Sequence, residues 1–379
     1  MKLRRVLAVI LALAIAGGIY VLFGTREDSS RGAVTLWYEK DSPLAQELEA
    51  LVKSYNSDMK RESLPVELKR FDSEAELADA YETGSPDILL CSHLRAFSLY
   101  RRSKLTDISA EETFASPAYP KSITSRNGSI GSSFFPLGIS VPVVAVSNSL
   151  AQQGAFDSLE AFFAAASDYT AGTGKPFFSV SSIAEQFYIY LLRFGVEFGG
   201  DFGGDFDMTN SDKQYLSIYN AFAEAAFEGS IAFLGNDAAE YLADGAIPCV
   251  ITCSAALKAI AADTVSVCDI PAPEGSLNHD TLGEAYGLAV TNGGCRSTRD
   301  TAAFIAWIFE NGRAAQAASD ARLAPAADAA SVKTDAIGEA LSEIVESALV
   351  SLPEADSDYM LSKADFDESF LEKAEALLP

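Results

Sequence analysis

The chain contains three short stretches, Val34-Thr-Leu-Trp-Tyr38, Val66-Glu-Leu-Lys-Arg-Phe71 and Asp87-Ile-Leu-Leu90, that read as strands. Their β-branched and aromatic content is typical of strands. Leu44 to Tyr55 repeats apolar residues at three- and four-residue spacing, which predicts a helix, and Glu74 to Tyr81 is predicted as another. Strand, helix, strand, helix, strand in this order predicts a parallel sheet covered by helices.

The same alternation restarts after Ile139 to Val146, which is predicted as one long strand. Further helices are predicted over 158–166, 183–194, 215–226, 254–261, 301–310, 336–350 and 365–378, and strands over 177–180, 247–252, 265–270 and 286–290. We therefore predict an α/β fold with two lobes, each a central sheet flanked by helices.

The N-terminal segment predicts the compartment. Lys2, Arg4 and Arg5 precede an uncharged apolar run, Val6–Phe23, whose 18 residues approach the ~20 that span a bilayer and exceed a typical signal-peptide core. Residues 1–31 are predicted as an uncleaved signal anchor plus linker. A cleaved signal peptide stays open because small residues occur at 14–17. The basic residues place the rest of the chain outside, so we expect an extracytoplasmic protein that is membrane-anchored or secreted.

The composition excludes several classes of function. The chain has 28 Lys+Arg against 53 Asp+Glu, a net charge of −25, which disfavours nucleic acid as a partner. Its two histidines, His93 and His279, belong to no catalytic or zinc-binding motif. Cys249 and Cys253 have no second pair to complete a metal site. We therefore expect neither an enzyme, nor a cofactor, nor a metal site.

Several stretches carry a resemblance to a known family. In chain order they are Val34–Tyr38, Ser85-Pro-Asp-Ile-Leu-Leu-Cys-Ser-His-Leu-Arg95 with Leu105-Thr-Asp-Ile108, Phe135-Pro-Leu-Gly-Ile-Ser140 with Asn148-Ser-Leu150, Phe156-Asp-Ser-Leu159, Cys249-Val-Ile-Thr-Cys-Ser-Ala255, Ala285-Tyr-Gly-Leu-Ala-Val290 and Asp300–Glu310. In this order and spacing the chain resembles family 1 extracellular solute-binding proteins, the maltose-binding-protein-like receptors of ABC importers.

The resemblance implies a type II periplasmic-binding-protein-like fold with a ligand cleft at the hinge. Lobe 1 would comprise residues 33–140 with 286–325, and lobe 2 residues 143–283 with 330–379. It also implies a monomeric receptor that captures a small polar solute, expected to be a carbohydrate, by hinge closure. The solute would pass to a membrane-embedded ABC permease, and Val6–Phe23 would provide the membrane contact.

Twelve residues are expected to bind the ligand if the resemblance holds: Trp37, Tyr38, Glu39, Ser92, His93, Arg95, Ser140, Ser181, Ser182, Ser254, Glu284 and Tyr286. The aromatic rings could stack on a sugar, and the guanidinium suits a carboxylate, phosphate or diol. Other interpretations stay open: Trp37 and Tyr38 as core residues, Arg95 as a surface charge, and the serines at 181 and 182 as helix caps.

The chain departs from the maltose-type pattern at three positions. Leu94 and Ser140 replace acidic residues, and Ala255 replaces a cleft tryptophan. Recognition of maltose by paired carboxylates and an indole is therefore not expected. Two alternatives follow: a ligand-free sensory or scaffolding module on the same fold, or a receptor for a polyamine, a metal ion or an organophosphate.

Overall fold

A computed structural model describes residues 32–58, 63–111, 130–150, 156–194, 213–293, 298–327, 332, 334–350 and 370. The predicted anchor and all but one residue of the helix predicted over 365–378 lie outside these ranges. Within them, no helix has the length and hydropathy needed to cross a membrane.

The elements alternate along the chain largely as predicted. The strands are β1 (Val34–Glu39), β2 (Val66–Phe71), β3 (Ile88–Ser92), β4 (Phe134–Ser140), β5 (Pro142–Ser147), β6 (Phe178–Val180), β7 (Ile231–Ala232), β8 (Cys249–Cys253), β9 (Val265–Cys268), β10 (Thr281–Val290), β11 (Ala324–Pro325) and β12 (Ala348–Val350). The α-helices are α1 (Ala45–Asp58), α2 (Glu74–Thr83), α3 (His93–Arg101), α4 (Leu159–Thr173), α5 (Ile183–Arg193), α6 (Lys213–Phe227), α7 (Ala238–Ala243), α8 (Thr298–Phe309), α9 (Arg313–Asp320) and α10 (Ala336–Ile344).

The strands form two sheets. The first has the order β11-β4-β10-β3-β1-β2, with β12 paired to the start of β10, and the second has the order β7-β6-β8-β5-β9. Strands β1, β2 and β3 are parallel, and β10 lies antiparallel between β3 and β4. We call the first sheet with α1–α3, α8 and α9 lobe 1, and the second sheet with α4–α7 lobe 2. The predicted α/β fold with two sheets flanked by helices is confirmed.

The strand predicted over Ile139–Val146 is two strands in the structure. Chain direction continues from β4 into β5, but each belongs to a different sheet, and Val141 is the residue between them. All of these positions are buried, so hydropathy alone could not reveal the break. Apolar continuity marks a buried strand, but it does not say which sheet the strand joins.

Several other predicted elements differ, and the helix predicted over 158–166 extends to Thr173. The helix expected over 254–261 is a 3-10 turn, Ser254–Ala259, and β10 begins five residues earlier than the predicted strand. The helix expected over 336–350 ends at Ile344, because its last residues form β12 and pair with the first residues of β10. At 254–261 and at the end of 336–350, contacts with residues distant in sequence therefore override the local helical periodicity.

The hydrophobic core lies on both faces of each sheet. In lobe 1, one face packs against α1, α8 and α9, and the other packs against α2 and α3. In lobe 2, one face packs against α4, α5 and α6. The opposite face packs against α7 and α10 and shares its core with Ile139, Ala285 and Ala324 of the first sheet. This shared core joins the lobes at the hinge.

The described cysteines are free thiols. Cys249 is buried, while Cys91, Cys253 and Cys268 are half-buried, and Cys295 lies outside the described residues. Cys249 and Cys268 lie on strands that flank β5 on opposite sides. Burial raises the pKa of the Cys91 thiol to about 12, which keeps it protonated at neutral pH.

Arg193 at the end of α5 is the largest fully buried side chain of lobe 2. Both oxygens of Asp269 accept from its Nη2 at 2.9 Å, and its Nε donates to the carbonyl of Asp280 at 3.1 Å. These bonds attach the connection between β9 and β10 to α5. A buried guanidinium is stable only with such partners, because desolvation of the charge is costly.

We predict that Arg193→Met lowers the free energy of unfolding by about 3–5 kcal/mol, because it leaves Asp269 and buried carbonyls without their donor. Urea unfolding followed by circular dichroism measures the change. Lys40→Met is the control, since it removes an ion pair with Asp72 in which both side chains are well exposed, and its expected cost is about 0–1 kcal/mol. Equal losses in the two variants would contradict the prediction.

Gly287 allows the close approach of β10 to β4. The register between these strands shifts between Tyr286 and Gly287, and a Cβ on Gly287 would lie 2.2 Å from the carbonyl oxygen of Phe135. No side chain fits there without movement of the backbone.

We predict that Gly287→Ala destabilises the protein by about 1–3 kcal/mol, since the added carbon forces β10 away from β4. Thermal unfolding provides the measurement. Gly84→Ala is a matched control, because Gly84 has an extended backbone and no atom within 4 Å of the added carbon. A stability of Gly287→Ala equal to that of the control would show that the strands can separate without cost.

Candidate functional site

The carboxyl ends of strands from both sheets meet at the hinge. Strands β1, β3 and β4 run in one direction and end at the edge where Val141 leaves the first sheet. Strands β6 and β8 are parallel to each other and antiparallel to β5, so they end beside the start of β5. Ligands of α/β proteins commonly bind at the carboxyl ends of strands. The hinge is therefore the candidate site.

Five residues from both lobes converge there, and we call them the hinge cluster: Ser140, Cys253, Ser254, Glu284 and Tyr286. Ser140 and Glu284 are directly opposite each other on β4 and β10. Tyr286, two residues further along β10, lies on the same face as Glu284 and donates from its hydroxyl to Glu284 Oε2 at 2.7 Å. Cys253 ends β8 and is paired with Pro142 at the start of β5. Only Ser140 and Ser254 of this cluster are fully buried.

The two serines bind the crossing between the lobes. Ser254 N donates to the carbonyl of Val141 at 2.8 Å, and Val141 N donates to Ser254 Oγ at 3.3 Å. Ala255 N donates to Ser140 Oγ at 3.4 Å. These serines therefore position the backbone of the hinge, which gives them a structural role in addition to their place in the cluster.

The cluster keeps its phenol and its thiol neutral beside a carboxylate. Burial, and then the adjacent Glu284, raise the pKa of Tyr286 well above its ordinary value. Burial, and then the charge of Glu185 on α5, raise the pKa of Cys253. Glu284 of β10 and Glu185 of lobe 2 therefore both lie close to Tyr286 and Cys253. This arrangement suits hydrogen-bond donors on a ligand, such as hydroxyl or amino groups.

The residues expected on the loop after β3 lie at the edge of lobe 1. Ser92 is the N-cap of α3 and its Oγ accepts from Arg95 N at 3.5 Å. His93 is buried, and its Nδ1 accepts from the Ala285 amide of β10 at 3.1 Å, so it attaches α3 to the hinge strand. Arg95 Nη1 lies 3.7 Å from Glu74 Oε1, and its Nε is buried with no hydrogen-bond partner among the described residues.

Glu39 ends β1 near the first turn of α2. Burial, and then the charges of Glu74 and Asp41, raise the pKa of Glu39 above its ordinary value. The edge of lobe 1 therefore carries several acids around Arg95. The sequence search did not single out Glu74, because its role depends on the contact between α2 and α3.

The structure does not bring the three expected aromatic residues together. Tyr38 is buried in the core between the sheet and α1, where its hydroxyl donates to Glu49, so it is a core residue, as the alternative interpretation of the sequence predicts. Trp37 projects from the other face of the sheet, with its ring centroid 5.1 Å from that of Phe71 and 4.5 Å from Lys69 Nζ. Alternation along a strand places neighbouring side chains on opposite faces. Tyr286 packs on the same face as Tyr38, so Trp37 and Tyr286 lie on opposite faces of the first sheet.

The serines expected in lobe 2 lie between β6 and α5. Ser181 N donates to the carbonyl of Ile251 at 2.9 Å, and the Oγ of the buried Ser182 accepts from Glu185 N at 3.2 Å. Ser182 therefore caps α5, as the alternative interpretation of the sequence predicts. Its role is to place Glu185 near the hinge cluster.

Cys253 is the cluster member that the sequence analysis did not include among the ligand-binding residues. Its spacing from Cys249 drew attention to a metal half-site instead. The available signal was its position directly before Ser254, at the end of a predicted strand.

A separate groove of about 760 Å³ runs along α1 and α9. Its charged groups are already partnered: Lys258 contacts Glu47, Arg313 donates to the carbonyl of Trp307, and Asp320 accepts from Gln316. The charged groups that line the groove are therefore engaged within the protein.

Comparison with known proteins gives similarity in structure only. No protein-family model matches the sequence, and no curated protein matches it significantly. Among solved structures, the GacH receptor of Streptomyces glaucescens, solved unliganded and with acarbose, is similar with a TM-score of 0.71 and 15% identity, over 92% of this chain and 98% of that one.

Two further similar structures are of proteins whose names or bound ligands do not refer to sugars. UgpB from Mycobacterium tuberculosis, in complex with glycerophosphocholine, has a TM-score of 0.68 and 14% identity over 92% of this chain and 98% of its own. The spermidine/putrescine ABC transporter substrate-binding protein PotD from Streptococcus pneumoniae has a TM-score of 0.65 and 12% identity over 90% and 100%. The chain has the two-lobe periplasmic-binding-protein-like fold of the extracellular solute-binding proteins, as its resemblance to their family 1 predicts.

Proposed function

We propose that this protein is an extracytoplasmic solute-binding receptor of an ABC importer, which captures a small polar solute, favoured as a carbohydrate, by closure of its two lobes. The observation that carries the proposal is the hinge cluster, in which Glu284 and Tyr286 of one lobe meet Cys253 and Ser254 of the other. A ligand that contacts both sides is bound more tightly when the lobes are closed, and this differential affinity drives closure.

The chemistry of the cluster supports a hydroxyl-rich ligand. The Glu284 carboxylate can accept hydrogen bonds from sugar hydroxyls, and the Tyr286 ring offers an apolar surface beside it. The GacH receptor, solved with acarbose, and UgpB, solved with glycerophosphocholine, have the same fold, which supports a polar organic solute. Binding needs no bond to be made or broken, so we propose a receptor and not an enzyme.

The proposal includes the lobe limits and the location. Residues 33–140 with 286–325 would form one lobe and 143–283 with 330–379 the other, which the sheet membership of β4 and β5 supports. Residues 1–31 would anchor the protein or direct its secretion, and Val6–Phe23 would contact the membrane. A membrane-embedded ABC permease would receive the solute from a monomeric receptor.

A cationic ligand is the second candidate. Glu284 and Glu185 both raise the pKa of Tyr286, so two carboxylates lie near one hydroxyl. Such a pair suits an amine, and the similar PotD protein is named for spermidine and putrescine. The net charge of −25 would also attract cations to the cleft.

We predict that one ligand class raises the melting temperature of the protein by several degrees at about 100 times its Kd, a stabilisation of about 2.7 kcal/mol. Thermal unfolding is measured against mono- and oligosaccharides, glycerophosphodiesters, polyamines and metal ions. A shift with sugars supports the first candidate, and one with polyamines supports the second. No shift with any class at millimolar concentration would favour a scaffolding module without a ligand.

Glu284→Gln is expected to weaken binding of the ligand found in this screen by about 10-fold or more, because the ligand loses a charged acceptor. Isothermal titration calorimetry measures the affinity. Glu224→Gln on α6 is the matched control, since it removes the same charge from an exposed position outside the hinge. An equal affinity of the two variants would remove the hinge cluster from the proposed site.

A further inference from the structure

An ion pair between Lys258 and Glu47 crosses from one lobe to the other. Lys258 Nζ lies 2.8 Å from Glu47 Oε1 and 2.9 Å from Oε2, and it also donates to the carbonyl of Pro43 at 3.3 Å. Glu47 lies in the first turn of α1, which follows β1 of lobe 1. Lys258 lies in the 3-10 turn that follows β8 of lobe 2.

Four other ion pairs lie within a single lobe. Lys40–Asp72, Arg95–Glu74 and Arg313–Glu310 lie within lobe 1, and Arg193–Asp269 lies within lobe 2. The Arg322–Asp335 pair joins residues on either side of β11. Asp335 caps α10, which packs against the core of lobe 2, so this pair also links the lobes. The contact between Lys258 and Glu47 is a second ionic link, from α1 of lobe 1 to the turn after β8 of lobe 2.

The burial of Glu47 makes this link important for the relative position of the lobes. Its side chain is only 9% exposed, whereas that of Lys258 is 32% exposed. A carboxylate that is so little exposed requires a nearby positive charge, and here that charge comes from the other lobe. Separation of the lobes would remove Lys258 and require Glu47 to be solvated by water. The side chain of Ala255, three residues earlier, also packs against the core of lobe 1.

We propose that the Lys258–Glu47 ion pair stabilises the closed arrangement of the lobes and thereby increases the affinity of the receptor for its solute. This inference rests on the proposed function, because it assumes that closure encloses a solute at the hinge cluster. The connection between the two is short: Ser254 of the hinge cluster and Lys258 belong to the same 3-10 turn. Movement of this turn would therefore change both contacts together.

Hydrogen–deuterium exchange of the full chain, without solute, tests the ion pair directly. In Lys258→Ala we expect the amides of the turn at 254–259 to exchange about three- to ten-fold faster than in the unsubstituted protein, within the range of half-buried ion pairs. Lys258→Arg, which keeps a positive charge opposite Glu47, is expected to keep the slow exchange. Lys40→Ala, which breaks an ion pair inside lobe 1, is expected to leave the turn unchanged.

Unchanged exchange in Lys258→Ala, or exchange in Lys258→Arg as fast as in Lys258→Ala, would overturn the proposed role of the ion pair. Circular dichroism establishes that each variant is folded, so that faster exchange confined to the turn reports loss of its contact with α1 of lobe 1. If the screen identifies a solute, Lys258→Ala is expected to weaken its binding by about the same three- to ten-fold factor. If no solute is found, the receptor proposal fails while the solute-free exchange still decides whether the ion pair holds the lobes together.

Discussion

The backbone pairing of Val141 with Ser254 is the contact on which the site depends. Val141 is the residue between β4 and β5, where the chain passes from one sheet to the other, and Ser254 follows β8 of the second sheet. Amide, carbonyl and hydroxyl groups of these residues satisfy one another in a fully buried place. Because buried backbone groups need partners, this pairing fixes where the end of β8 meets the hinge.

The functional groups follow from that arrangement. Strand β10 runs antiparallel to β4, so Glu284 lies opposite Ser140 and Tyr286 lies next to it on the same face. The end of β8 brings Cys253 to the same place from the other lobe. A carboxylate and a phenol from one lobe therefore face groups of the other, which is the geometry that a ligand-driven closure requires.

The same turn of the chain serves both the site and the contact between the lobes. Ser254 joins the hinge, and Lys258 contacts the nearly buried Glu47 on α1. Both contacts come from one short 3-10 segment, so a movement of that segment would change them together. Because a nearly buried Glu47 without a positive partner is electrostatically unfavourable, the ion pair favours the arrangement in which the lobes are in contact.

The sequence alone determined the order of strands and helices and the α/β class, because local periodicity and strand propensity are visible in one dimension: β2 has the predicted limits, and β1 and β3 differ by one or two residues. Family resemblance also placed Ser140, Ser254, Glu284 and Tyr286 among the site residues, and these four converge.

Only the tertiary structure decided that Tyr38 is a core residue, that Trp37 projects from the opposite face of the sheet from Tyr286, and that β4 and β5 belong to different sheets. It also decided the pairing of Glu47 with Lys258. The physical reason is that a sheet face, a strand partner and an ionic partner depend on residues far away in the chain, and no local pattern contains that information.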